Sequence, residues 1–203
     1  VLHLPEGRVE RPLAQRRYAV RDGVLVALDA PMLVLHGGAG VEPGDLTPDE
    51  EVAAKRALEA ALRAGHAKLQ AGASSVDAVI AAITVLEDAP QFNAGRGAVF
   101  THDGRNELDT SLMDGATGKA GAAAGLHRVR NPITLARAIM DKSNHVMMVG
   151  DGAEMFAEEQ GIALVDPAYF RTEKRWQQLQ RALKEEAAGQ AHADLETAKH
   201  FGT

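Results

Sequence analysis

Cysteine is absent from the 203-residue chain. Its absence excludes a disulfide scaffold, a zinc ribbon, iron–sulfur ligation and a cysteine nucleophile. Aromatic residues make up only 4% of the sequence, so a core has to be built from Ala, Val, Leu and Ile with many close backbone approaches. No run nears the roughly 18 consecutive apolar residues of a membrane span. The first residues, Val1 to Glu10, contain Pro5, Glu6 and Arg8 and lack the apolar segment of a signal peptide. The cytoplasm is therefore the expected location. Positive charge is also in deficit, with 22 Lys+Arg against 28 Asp+Glu, which argues against a dedicated nucleic-acid surface.

What is present reads as a globular chain. It is 45% hydrophobic and 25% charged, with 20 glycines, too apolar for disorder. By length alone it suggests one domain. Residues 1–31 differ from the rest, being rich in Arg and Pro with one weakly strand-like stretch, Val24 to Leu28. They are expected to form a terminal extension of low order. Met32-Leu33-Val34-Leu35 then runs into His36-Gly37-Gly38-Ala39-Gly40, the pattern of a buried strand followed by a loop of close backbone approach.

Thr47-Pro48-Asp49-Glu50 is a capping box with proline at the first helical position. Val52, Leu58, Ala61, Leu62, Gly65 and Leu69 continue it as one apolar face, and Gly72 stops the helix. A second helix is expected from Ser74 or Ser75 to Pro90. Its apolar residues fill most of the circumference, so it should be buried. Ala98–Phe100 and Glu107–Asp109 read as a hairpin across His102-Asp103-Gly104, and Lys119–Ala124 as a buried strand of small residues. Pro132–Met140 is a short helix and His145–Val149 a buried strand. Ala153–Gln160 is a helix closed by Gly161, and Tyr169–Leu183 a last helix. Residues 184–203 carry Leu195 as their only large apolar side chain before Phe201 and read as a mobile linker. The element order indicates a layered α/β arrangement with a mixed sheet.

Taken singly, most of the polar motifs are ambiguous. The His36–Gly40 loop lacks the GxGxxG and Lys-Ser/Thr patterns of phosphate binding, Glu42 and Asp45 after it would repel phosphate, and a tight strand-to-loop turn explains it better than an anion site. The eight His show no HxH or HxxxH spacing, so no transition metal is expected. Glu87, Asp88, Asp103, Glu107, Asp109 and Asp114 allow paired-carboxylate hydrolysis in principle, but spacing selects no pair. Phe92-Asn93-Ala94-Gly95-Arg96-Gly97 places an Asn and two glycines before a strand. Either backbone carbonyls and the Asn amide converge on something there, or the loop is merely bulged.

In sequence order, however, these features resemble the plant-type asparaginase / isoaspartyl peptidase family of N-terminal nucleophile hydrolases. The resemblance rests on Leu35–Gly40, Gly72 with Ser75-x-Asp77-Ala78-Val79, Leu86-Glu87 and Phe92-Asn93-Ala94-Gly95-x-Gly97. It continues through Glu107-Leu108-Asp109, Met113-Asp114-Gly115, Asn131-Pro132, His145-Val146, Gly150-x-Gly152-Ala153 and the terminal Gly202-Thr203. It covers Met32 to Thr203 and leaves residues 1–31 without a counterpart.

The resemblance implies a four-layer αββα sandwich, of which this chain is the N-terminal (α) portion, with residues 32–183 in the sandwich. It implies self-cleavage between Gly202 and Thr203, after which Thr203 acts as nucleophile with its own α-amine as base. Asn93 would help hold the nucleophile, and Gly37 and Gly38 would form a glycine loop behind the scissile bond. Main-chain carbonyls of Leu86, Glu87, Ala89, Phe92, Ala94 and Arg96 would bind a structural sodium ion; no organic cofactor is implied. The substrate would be L-asparagine or a β-aspartyl dipeptide. The partner would be a β chain cut from the same precursor, in an (αβ)2 assembly. That β chain, downstream of Thr203, would supply a second threonine, oxyanion donors and an Arg/Asp pair for the substrate. A glycosylasparaginase-like enzyme, or a non-catalytic fragment of the same fold, is the alternative that the sequence beyond Thr203 would separate.

Overall fold

The computed structural model describes residues 17–21, 24–28, 32–38 and 46–187. The chain divides into two compact units, Val1–Leu33 and Val34–Thr203. The first unit holds an antiparallel pair, β1 (Arg17–Arg21) and β2 (Val24–Leu28), with Arg21 opposite Val24. Only the second strand was expected. The dipeptide between them, Asp22-Gly23, is among the strongest short-range hairpin signals, so residues 1–31 carried a legible element.

The run Met32–Leu35, expected as a buried strand, lies in no ladder among the described residues. Exposure alternates along it: Met32 and Val34 are 58% and 81% exposed, while Leu33 and Leu35 are half-buried. That period of two is the mark of extended chain, but no neighbouring strand supplies the hydrogen bonds that would make it a strand.

Two capped helices follow in the second unit. In α1 (Pro48–Gln70) the Thr47 hydroxyl accepts the Glu50 N–H while the Glu50 carboxylate accepts the Thr47 N–H at 2.9 Å. In α2 (Ser75–Asp88) Ser74 and Asp77 make the same reciprocal pair. Each satisfies helix N-terminal donors that would otherwise be orphaned. The two helices pack side by side, yet Val52 and Leu62 of α1 stay exposed and Val79, Ile80 and Ile83 of α2 are only half-buried. The full burial expected for α2 is therefore not reached.

The expected hairpin over residues 98–109 is reduced to one antiparallel bridge, Phe100 with Asn106. The strand proper is β3 (Leu108–Met113), which pairs antiparallel with β4 (Ala120–Leu126). From β4 the chain crosses through α3 (Pro132–Lys142) to β5 (Met147–Val149), parallel to β4, giving the order β3-β4-β5. A parallel neighbour requires such a crossover. Met147 and Val149 are 55% and 61% exposed, so β5 is not the buried strand expected. It is short and stands at the edge, where one side of the strand meets no other among the described residues.

Helix α3 lies on β4. Leu126, Leu135, Ile139 and Phe170 centre one core cluster, and Leu112, Ile133, Ala136 and Met140 another. The small residues of β4 allow this approach: a Cβ on Gly121 would fall closer than 3.0 Å to the Ala136 carbonyl and the Met140 backbone N. Next come α4 (Gly150–Glu159), a 3-10 turn at Pro167–Phe170 and α5 (Glu173–Ala187). Helix α5 begins later than expected and runs four residues past 183, into the stretch expected as linker. Trp176 docks it edge-to-face on Phe100, centroids 5.3 Å apart. Among the described residues no helix is long and apolar enough to cross a membrane.

Two outcomes follow from this packing. Gly121→Ala forces α3 off the sheet, and because the obstacle is backbone the loss should reach the upper end of the ~1–3 kcal/mol typical of overpacking, read by urea unfolding. On the acid side, the hydrogen bond from Lys174 and those within the α1 cap hold Glu50 down to about 2. Its contribution to stability is present above the ordinary carboxylate value and is lost as pH falls through about 2. Melting temperatures between pH 5 and pH 2 should fall less steeply in Glu50→Gln, and added salt should shrink the difference, since this pair is exposed.

Candidate functional site

The end of α2 and the segment after it form the most constrained part of the molecule. Helix α2 stops at Ala89, and the chain turns back through Phe92 to a 3-10 turn at Gly95–Gly97. Glycine at 95 and 97 is demanded by crowding from carbonyls. A Cβ on Gly95 would meet the Glu87 carbonyl, and one on Gly97 the Phe92 and Pro90 carbonyls, all closer than 3.0 Å. Three main-chain oxygens, those of Glu87, Pro90 and Phe92, therefore lie against these two glycines. Ala94 and Gly95 carbonyls also close the turn by accepting from Gly97 and Ala98 N–H at 3.0 and 3.1 Å.

Two neighbouring carboxylates anchor the loop to α3. Glu87 is 4% exposed, and its Oε1 accepts the Ile133 N–H at 2.9 Å in the first turn of the helix. Its Oε2 has no hydrogen-bond partner among the described residues. Burial outweighs the helix contacts and pushes the carboxyl up to about 8. Asp88 faces outward instead. It accepts from Arg130 Nε and Nη2 at 3.4 Å each, from Asn131 Nδ2 at 3.2 Å and from the Tyr169 hydroxyl at 3.2 Å. The Arg96 and Arg130 guanidinium groups lie over the Tyr169 ring, 5.7 and 5.5 Å from its centroid.

Asn93 is half-buried, and its Oδ1 accepts the Val99 N–H at 2.9 Å. The amide of buried Asn106 holds the same segment from the other side, donating to the carbonyls of Ala98 and Val99 at 2.9 and 3.1 Å. Beside the loop opens a cavity of about 320 Å³ lined by Asn93, Ala94, Gly95, Thr101, Glu107 and Asp109 among others. Gly37 packs against the loop as well. A Cβ there would press on Leu58 Cδ2 at 3.1 Å and on the Phe92 ring at 3.4 Å.

Comparison with known proteins settles the ancestry of this arrangement. A family model described as asparaginase matches residues 29–202. The chain is 44% identical to the isoaspartyl peptidase of Salmonella typhimurium over 87% of its own length and 57% of that protein's. It is 44% identical to the isoaspartyl peptidase of Escherichia coli over 85% of its length and 54% of that protein's. The plant-type L-asparaginase of Pyrococcus abyssi matches at 44% identity over 74% of the chain and 48% of that protein. The chain belongs to the asparaginase family. It spans about half the length of the curated relatives it matches.

Within this member of the asparaginase family, the residues singled out in the sequence divide into three groups. Leu86 and Glu87 sit in the last turn of α2, Ala89, Phe92, Ala94 and Arg96 follow in the turn-back segment, and Gly37 is brought to Phe92, with Gly38 the next residue along. Asn93 sits in the same loop. Gly202 and Thr203 lie outside the described residues.

An ion in this loop would be held by backbone oxygens, which suit a hard cation. No His/Cys/Asp/Glu group able to hold a metal ion occurs among the described residues. The Glu87 carbonyl lies against Gly95, and the Pro90 and Phe92 carbonyls against Gly97. Sequence reasoning missed Arg130, Asn106 and Tyr169, and named Asp88 only among six carboxylates from which spacing selected no pair; all four brace the loop. Only Asn131-Pro132 carried a signal, and it marked a helix start without revealing the partner.

Removing the Glu87 side chain should expose how much depends on it. Glu87→Ala leaves the Ile133 N–H buried without an acceptor and should cost about 1–3 kcal/mol, measured by urea unfolding. Glu87→Gln keeps an acceptor at Oε1 and should cost clearly less. Equal losses in both variants would show that the bond is immaterial.

Proposed function

We propose that this chain is the α portion of an amidohydrolase of the asparaginase/isoaspartyl peptidase type, made as a self-cleaving precursor and active with its β chain. The observation that carries this reading is family membership over residues 29–202 together with 44% identity to two isoaspartyl peptidases. In this reading the mixed sheet and its helices belong to a four-layer αββα sandwich, completed by the β chain and paired into an (αβ)2 assembly.

The chemistry starts at the Gly202–Thr203 bond. The Thr203 hydroxyl attacks the Gly202 carbonyl, the peptide nitrogen leaves that carbon, and an ester replaces the amide. Water then hydrolyses the ester and frees Thr203 as a new N-terminus. Its α-amine, now unacylated, takes the proton from its own hydroxyl, which meets the need of a weak nucleophile for an adjacent base. In turnover the hydroxyl attacks the side-chain carbonyl of asparagine, or the β-linked carbonyl of an isoaspartyl dipeptide. Ammonia or the amino-terminal amine of the second residue departs, and water releases aspartate from the acyl-enzyme. Oxyanion donors from the β chain stabilise the charge that develops at each attack.

The described residues contribute the frame for this chemistry. Asn93, held by the Val99 N–H, would steady the nucleophile, and Gly37 and Gly38 would lie behind the scissile bond. The carbonyls of Leu86, Glu87, Ala89, Phe92, Ala94 and Arg96 would hold a sodium ion, which when bound supplies structural charge and no reactive group. Backbone carbonyls lying against Gly95 and Gly97 support that reading, since main-chain oxygens are the donors a hard cation takes.

Intact-mass measurement of the whole gene product tests the proposal. Two chains should appear, the second beginning at Thr203, with release of aspartate from asparagine or β-aspartyl dipeptides. Thr203→Ala should remain one chain and lose turnover by several orders of magnitude. A single uncut and inert wild-type chain would sink the proposal.

A further inference from the structure

Arg175 reaches from α5 to the far end of the loop. Its Nε donates to the Gly97 carbonyl at 2.8 Å and its Nη1 to Gln178 at 3.1 Å. The helix around it is held in place by neighbours: Trp176 against Phe100, and Arg171 over the Trp176 ring, 4.1 Å from its centroid. The guanidinium is half-buried, and its loss of hydration lowers its pKa. A long charged side chain gives up water and rotamer freedom to be there.

What it grips is a single rigid unit. The Gly97 carbonyl and the Ala98 N–H belong to one peptide plane. Arg175 holds the oxygen end, and the Gly95 carbonyl holds the N–H end at 3.1 Å. Gly97 is also the residue against which the Phe92 and Pro90 carbonyls lie. Its own carbonyl is not one of the six expected to face the ion; the preceding one, Arg96, is. Pinning the 97–98 plane therefore fixes the wall of the cradle without using up one of those six oxygens.

The geometry points to Arg175 as a positioning residue that holds the Leu86–Gly97 carbonyl cradle in the shape a monovalent cation requires. This rests on the reading of that loop as a cation cradle. A charge argument pulls the other way, because a guanidinium near the cradle repels a cation. If repulsion dominated, removing Arg175 would tighten cation binding; if positioning dominates, removal weakens it.

Thermal melts of the whole gene product, with NaCl titrated against choline chloride at constant ionic strength, separate the two. Wild type should gain melting temperature as sodium replaces choline. In Arg175→Met the sodium concentration giving half of that gain should rise at least tenfold. Arg175→Lys keeps the charge and loses the planar fork, so it should also bind more weakly, and it serves alone if Arg175→Met does not fold. A purely structural arginine would lower the melting temperature equally in both salts with the sodium midpoint unchanged, which overturns the inference, as does tighter binding in either variant. A wild type indifferent to sodium would defeat the cradle reading and the inference together.

Discussion

The Glu87 carboxyl accepts the Ile133 N–H where water does not reach, and that bond sets where the last turn of α2 meets the first turn of α3. A helix N-terminus presents N–H donors without intrahelical partners, and a carboxyl oxygen satisfies one of them here even though burial favours the neutral acid. The contact is also unforgiving. A buried donor stripped of its acceptor loses its full hydration energy, and Glu87 itself is left with one oxygen unpartnered among the described residues. With the two helices fixed at this point, the chain between Ala89 and Gly97 has little freedom. It must turn back within a few residues, which brings the Glu87, Pro90 and Phe92 carbonyls against Gly95 and Gly97.

Support for that loop arrives from four directions that are distant in sequence. Asp88 gathers Arg130, Asn131 and Tyr169. Asn106 holds the carbonyls of Ala98 and Val99, Arg175 holds Gly97, and Phe92 carries Gly37 on its ring. Each is a modest interaction. Together they keep a glycine-rich segment, entropically costly to order, in one arrangement. The cation cradle proposed for this loop would need this kind of over-determination.

Local chemistry was the legible part. The capping box at Thr47 formed as its side chains dictate, and of the two N-caps expected for the second helix, Ser74 is the one used, with Asp77 as its reciprocal partner. The turn after α2 falls where Pro90 and the glycines at 95 and 97 stand. Burial was less legible. Met147 and Val149 have the composition of a core strand, yet they stand exposed at an edge. Met32–Leu35 alternates like a strand and has no ladder among the described residues. Hydrophobicity states what a segment would gain by being covered, and only its neighbours decide whether it is. The braces were illegible for a related reason. Arg175 and Gly97 are 78 residues apart, and nothing in either one's surroundings names the other.

The sequence by itself determined membership in the asparaginase family, the helix caps and the position of the carbonyl-rich loop, because each depends on residues close together along the chain. Tertiary structure alone decided which groups hold that loop, that Glu87 is buried while the adjacent Asp88 reaches outward, and that α3 sits on β4 over Gly121. Those are matters of dielectric, volume and approach between distant segments, and they exist only once the chain has folded.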